Sequence, residues 1–239
     1  MQHIVNVNGL EYSYHDGTAA LRGVTLQIAA GERVAVIGPN GAGKTTLLLH
    51  LNGILQPTAG SVEICGRKLD RASVAELRPK VGIVFQNADD QLFMPTVFDD
   101  VAFGPLNMGL PPDEVKRRVT DALDAVGLAG FERKAPYHLS GGEKKAMAIA
   151  TVLSMSPEIL VLDEPTGSLD HRARRRLIRL LAGLPHTLIA ATHDLRMVMD
   201  VCGRVIILDG GKVAADGRAA DILHDAGLLE AHGLEAVER

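Results

Sequence analysis

A chain of 239 residues with 46% hydrophobic and 23% charged side chains has the composition of a globular protein able to bury a full core. Its formal net charge of −4 argues against broad nucleic-acid binding, and no apolar run reaches the roughly 18–20 residues of a membrane-spanning helix. The first six residues lack the charged-then-apolar order of a secretion signal, and Cys65 and Cys202 stand alone like reduced thiols. A cytoplasmic protein is expected, with any membrane role supplied through a partner.

From the N-terminus, residues 4–7, 10–14 and 24–28 alternate short β patterns with Gly-marked turns, and residues 62–66 add another. They predict an antiparallel β portion. Residues 33–37 form an apolar strand that feeds Gly38-Pro39-Asn40-Gly41-Ala42-Gly43-Lys44-Thr45, and residues 46–51 read as the helix that follows. The loop fits G-x-x-x-x-G-K-[ST]. Its glycines let backbone N–H groups turn toward phosphates, Lys44 reaches the β/γ-phosphates, and the Thr45 hydroxyl can ligate Mg²⁺. Gly38 to Thr45, with Thr46 opening the helix, are the candidate nucleotide contacts.

Residues 81–85, 159–162, 187–191 and 205–208 are apolar runs of the kind buried on both faces, separated by helical patterns. They predict a parallel sheet with crossover helices. Between Gln86 and Ser140 strand patterns stop. Pro111-Pro112-Asp113 opens a helix there, Val115, Val119, Leu123 and Val126 line one face, and Gly127 ends it. The expected organisation is therefore α/β: a core over 1–86 and 141–216, a helical insertion over 87–140, and a short tail of weak helices over 217–239. Arg172, Arg174, Arg175, Arg176 and Arg179 crowd one helix, with Leu177, Leu180, Leu181 and Leu184 turned inward. With few aromatics beside them they read as a solvated face rather than a nucleic-acid patch.

Two further segments carry chemistry. The strand at 159–162 ends in Asp163-Glu164, paired acids that a buried strand needs a reason to carry. Asp163 is placed to hold Mg²⁺ and Glu164 to polarise an attacking water. In His138-Leu139-Ser140-Gly141-Gly142-Glu143, Ser140 caps a helix whose first N–H groups two glycines leave open to an anion.

With the phosphate loop and Asp163-Glu164, this segment resembles the signature motif of ABC-type ATPases. The resemblance extends over residues 4–212 and implies a P-loop ABC ATPase fold: a mixed, mainly parallel core sheet, an N-terminal antiparallel β portion and a helical insertion. It implies two ATP molecules held between two head-to-tail subunits, each under the partner's Ser140, Gly141 and Gly142. By the same resemblance Tyr14 stacks on adenine, with Tyr12 the alternative. Gln86 touches Mg²⁺ and the water, Ser168-Leu169-Asp170 crosses the dimer seam, and His193 contacts the γ-phosphate. The implied catalytic set is Lys44, Gln86, Glu164 and His193; the implied metal set is Thr45, Gln86 and Asp163. Glu143 stands where many members carry Gln, and Thr166-Gly167-Ser168 departs from the usual order of small residues; neither removes a reacting group.

One phosphate loop and one signature motif leave a single chain with half of each composite site, so a nucleotide-dependent homodimer is expected. Residues 85–93, 95–97 and 101–107 look like the ATPases of energy-coupling-factor importers, and residues 48–53 and 228–235 look closest to the cobalt/nickel branch. The implied function is ATP hydrolysis that powers cobalt or nickel uptake from the cytoplasmic face of the membrane, with membrane components docking near residues 86–107. An importer of biotin or another vitamin, and a soluble ABC ATPase not coupled to transport, are the alternatives. His50, His224 and His232 lack ligand spacing and read as structural or surface histidines.

Overall fold

The structure is a computed structural model that describes residues 3–235; what the sequence suggests for Met1, Gln2 and 236–239 lies outside the described residues. The chain runs β1 (His3–Ser13), β2 (Ala19–Ala29), β3 (Arg33–Ile37), α1 (Lys44–Leu51), β4 (Ala59–Ile64), β5 (Arg67–Lys68), α2 (Val74–Leu77) and β6 (Val81–Val84). It continues through α3 (Val97–Asn107), α4 (Pro112–Ala125), α5 (Gly141–Leu153), β7 (Ile159–Asp163), α6 (His171–Gly183), β8 (Thr187–Ala191) and α7 (Leu195–Val201). β9 (Arg204–Asp209), β10 (Lys212–Arg218), α8 (Ala219–Leu223) and α9 (Ala226–Ala231) complete it.

The strands sort into two sheets. One is antiparallel in the order β2-β1-β4-β5; the other has the order β10-β9-β3-β8-β7-β6 and is parallel throughout except for the β9–β10 hairpin. Inside the continuous apolar runs of the second sheet the period-2 geometry of a strand divides the side chains between two cores. Ala35, Ile37, Leu160 and Leu162 face α3 to α7. Val34, Val36, Ile159 and Val161 face α1 and the antiparallel sheet. Burial on both faces is why these strands show no polar alternation.

The α/β expectation, with its mixed sheet, N-terminal antiparallel portion and helical insertion, is borne out. β1 is one strand rather than two, its register interrupted between Val7 and Leu10. β10 was not expected: its alternation is diluted by Ala214, Ala215 and Gly217, although Gly210-Gly211 before it is a hairpin signal. Helix α4 ends as its Gly127 predicts. Val126 caps it, and the Leu128 amide returns to the Leu123 carbonyl at 2.8 Å.

Arg174 departs from the solvated set on α6. Its Nε donates to Asp194 Oδ2 at 2.6 Å, the Thr166 hydroxyl donates to the same oxygen at 2.8 Å, and the Met197 amide donates to Oδ1 at 3.0 Å. Burial alone would raise the Asp194 carboxyl, but the Arg174 guanidinium and the other donors outweigh it and hold the group below the ordinary carboxylate range. A depressed folded-state pKa contributes stability that is complete above the unfolded value and is lost as pH falls through the folded one. The side chains of Arg174 and Asp194 are 24% and 15% exposed, so the pair is worth less than a fully buried one. Arg174→Ala is expected to lower the unfolding free energy at pH 7 by about 2–3 kcal/mol, a gap that shrinks below about pH 4. Denaturant titrations at both pH values check it.

Candidate nucleotide site

The phosphate loop is pressed between β9 and the start of β2, and two of its glycines are there for lack of room. A Cβ on Gly38 (φ 151°) would fall 2.0 Å from the Leu208 carbonyl oxygen; one on Gly43 (φ 99°) would fall 2.5 Å from that of Ala20. α1 begins at Lys44, whose Nζ donates to the carbonyls of Gly38 (2.8 Å) and Pro39 (3.0 Å). Burial lowers the pKa of this ammonium, and the Glu164 and Asp163 carboxylates oppose that shift.

The next residue joins two distant motifs: Thr45 Oγ1 donates to Asp163 Oδ2 at 2.8 Å. Burial pushes the Asp163 carboxyl upward, and the Thr45 hydrogen bond pulls against it. A hydroxyl and a carboxylate this close present two hard oxygens to one point, which suits Mg²⁺ completed by phosphate oxygens and water. Among the described residues no group of three or more His, Cys, Asp and Glu is arranged to hold a metal.

Glu164 follows β7 with φ 42°, in the left-handed region that a side chain larger than glycine seldom occupies. Its Oε2 lies 2.9 Å from His193 Nδ1 and 3.2 Å from the Thr192 hydroxyl, joining the ends of β7 and β8. The His193 side chain is 74% exposed. Tyr14, 40% exposed, shares a 2.9 Å hydrogen bond between its hydroxyl and that of Thr46. Its ring meets Tyr12 edge to face at 5.0 Å, and Tyr12 meets the buried His50 at 4.8 Å. Tyr14, Gly38, Pro39, Asn40, Gly41, Ala42, Gly43, Lys44, Thr45, Thr46, Gln86, Asp163, Glu164 and His193 line one open cleft of about 790 Å³.

Ser140, Gly142 and Asp170 do not line this cleft; they border a separate cavity between α5 and α6. Ser140 caps α5 in a reciprocal box: its Oγ accepts from the Glu143 amide, and Glu143 Oε2 accepts from the Ser140 amide at 2.8 Å. Asp170 caps α6, where the amides of Ala173 and Arg172 lower its pKa. The two signature glycines differ. A Cβ on Gly141 would meet nothing within 4 Å, whereas one on Gly142 would lie 2.7 Å from Ala173 Cβ. Gly141 keeps the helix start open; Gly142 lets α5 pack on α6.

Sequence reasoning missed the residues that brace Gln86. Lys145 is 4% exposed, and its Nζ donates to the carbonyls of Gln86 (2.6 Å) and Phe85 (3.2 Å). Burial lowers its pKa against the pull of Asp163 and Glu164. Gln91 accepts from the Phe85 amide at 3.2 Å and donates to the Ala148 carbonyl at 2.9 Å. A signal existed: Lys145 shares the apolar stripe of α5 with Ala148, Ile149 and Val152, where a lysine must find buried acceptors. Gly233 and Leu234 also border the nucleotide cleft, which nothing in the sequence suggested.

Residues 21–167 match the family model described as ABC transporter. The chain is 60% identical over 233 residues to a putative ABC transporter ATP-binding protein of Geobacter sulfurreducens, covering 98% of this chain and 94% of that protein. It is 52% identical over 231 residues to the energy-coupling factor transporter ATP-binding protein EcfA of Methanothermobacter thermautotrophicus, covering 95% and 74%. Its fold is similar to that of cbiO1 from Clostridium perfringens, described as part of the ABC transporter complex cbiONQ (TM-score 0.86, 39% identity, 97% and 94% covered). It is also similar to a dimeric ATP-binding cassette in a post-hydrolysis state bound to ADP and Pi (TM-score 0.80, 30% identity, 90% and 98% covered). The chain belongs to the ABC transporter family, as an ATP-binding subunit with ATPase activity.

Proposed function

We propose that two copies of this chain close head to tail around two ATP molecules and power an energy-coupling-factor importer whose cargo is cobalt or nickel ion. The observation that carries the dimer is a separation. The phosphate loop, Asp163, Glu164 and His193 share one cleft, while Ser140, Gly142 and Asp170 open elsewhere on the same chain. A second copy supplies the missing cap at Ser140.

In the closed pair Tyr14 stacks the base, and residues 38–46 hold the phosphates. Thr45 and Asp163, with Gln86 beside them, would hold Mg²⁺, which when bound neutralises charge on the β- and γ-phosphate oxygens. Glu164 orients the attacking water and draws its proton; His193, held through its Nδ1, stabilises the γ-phosphate geometry. Residues 1–86 and 141–216 form the nucleotide-binding core, and 87–140 the helical subdomain.

The transport reading is supported by a groove of about 1160 Å³ beside the Gln86 segment. Phe93 and Phe103, 64% and 42% exposed, meet edge to face at 5.1 Å on its rim, with Met108 nearby. Its wall includes Asp100, only 3% exposed, whose Oδ2 accepts no hydrogen bond among the described residues. Burial raises the pKa of this carboxyl. The groove suits an apolar helix with a basic side chain, presented by a membrane component to a subunit peripheral on the cytoplasmic face. No helix among the described residues is long and apolar enough to cross a membrane itself. The importer class is supported by the likeness to EcfA and cbiO1, and the ion by the likeness of residues 48–53 and 228–235 to the cobalt/nickel branch.

Glu164→Gln is expected to lower ATP turnover by roughly 10²–10⁴ while keeping ATP affinity, and to abolish uptake of labelled Co²⁺ or Ni²⁺ in native cells. Uptake of both ions at the wild-type rate would remove the metal cargo, and biotin uptake would be measured next. Phe93→Ala, at an exposed position, is expected to leave the ATPase rate of the isolated protein and its melting temperature unchanged while reducing uptake. Unchanged uptake in membranes carrying this variant would move the docking site elsewhere.

A further inference from the structure

The tail after β10 reaches the nucleotide cleft at Gly233 and Leu234. Leu229 of α9 is fully buried and anchors the helix in the core that lies against α3 to α7. After His232, Gly233 takes φ 66° and its amide returns to the Glu230 carbonyl at 3.1 Å, while the Leu234 amide returns to that of Leu229 at 2.9 Å. This paired closure fixes the turn in space. A third tie is a side chain: His232 Nδ1 donates to Asp209 Oδ2 at 2.8 Å. Asp209 follows Leu208, whose carbonyl oxygen leaves no room for a Cβ at Gly38. The β9–β10 turn also joins the phosphate loop and β2, through the Gly211 amide to the Ala42 carbonyl (3.2 Å) and the Arg22 amide to the Gly211 carbonyl (2.8 Å).

We infer that the Gly233–Leu234 turn is part of the nucleotide site, walling the cleft at its nucleoside end, and that His232 is the residue that positions it. The inference rests on the nucleotide reading of the cleft given above. Two observations select the nucleoside over the phosphates. The sheet order β9-β3-β8-β7 puts this wall on the side of the phosphate loop away from Asp163 and Glu164, together with Thr18 and the first residues of β2, Ala19 and Ala20. The Gly233 and Leu234 amides are both spent on carbonyls of α9, so this part of the turn offers an apolar side chain and shape, not anion-binding donors. Such a surface matches a sugar edge or a base.

The test measures binding of a non-hydrolysable ATP analogue, ADP and inorganic tripolyphosphate to the wild type, His232→Ala, His232→Gln and Leu234→Ser. His232→Ala and Leu234→Ser should weaken both nucleotides about 3- to 10-fold and leave tripolyphosphate binding unchanged. His232→Gln, which keeps a donor for Asp209, should recover most of the loss. Nucleotide affinities within about twofold of wild type, or an equal loss for tripolyphosphate, would overturn the inference, and a His232→Gln variant as weak as His232→Ala would overturn the role of His232. Lys44→Ala reports on the cleft itself: if it binds the ATP analogue like wild type, the underlying nucleotide reading fails, whatever the tail variants do.

Discussion

Three parallel strands buried on both faces, β3, β7 and β8, end at one edge of a sheet, and the chemistry of this protein depends on that convergence. A parallel sheet sends every carboxyl end the same way, so residues far apart in sequence meet where the strands stop. The phosphate loop leaves β3, Asp163 and Glu164 close β7, and His193 follows β8. The hydrogen bond between Thr45 and Asp163 spans 118 positions of sequence and is possible only because β3 and β7 flank β8 in register. Packing supports the same strand ends from behind: Arg174 and Thr166 both bond Asp194, the residue after His193, and so tie the loop after β7 and α6 to the start of α7.

The helical layer is tied to these strand ends by polar contacts, one of them a buried lysine in an apolar core. Lys145 and Gln91 bind the backbone around Gln86, and Lys144 pairs with Asp89 at 2.6 Å. The segment 85–91 is thereby fastened to α5, the helix that begins at Ser140. The groove that Phe93 and Gln91 line is thereby joined to the nucleotide cleft through Gln86 and to helix α5 through Lys145. The buried Lys145 ammonium would be costly to leave without its carbonyl acceptors, so this connection resists partial displacement.

Much of this was legible in the sequence, and for physical reasons. Residues 38–45 announce themselves because Lys44, Thr45 and tightly placed glycines are needed together, and the apolar runs announce two-sided burial because no polar residue interrupts them. The helix of Val115, Val119, Leu123 and Val126 was readable from its period and from Gly127. What escaped notice depends on tertiary contact. Lys145 sits beside Lys144, and only the fold makes one buried and the other a surface partner of Asp89. Arg174 lies among four other arginines of one helix, and only Asp194 on the next distinguishes it. The approach of Gly233 to the phosphate loop is set by His232 meeting Asp209, a contact across 23 residues with no local pattern.

In the proposed dimer no single copy of this chain holds a complete hydrolytic site. Ser140→Arg tests it most directly, because Ser140 lies outside the chain's own cleft and the substitution leaves the phosphate loop untouched. ATP affinity and ATP turnover would be measured on the same preparation. A shared site requires affinity within about threefold of wild type and turnover reduced by at least about 10². Turnover near the wild-type rate would mean that the chain hydrolyses ATP without a partner's Ser140, and would contradict the shared site.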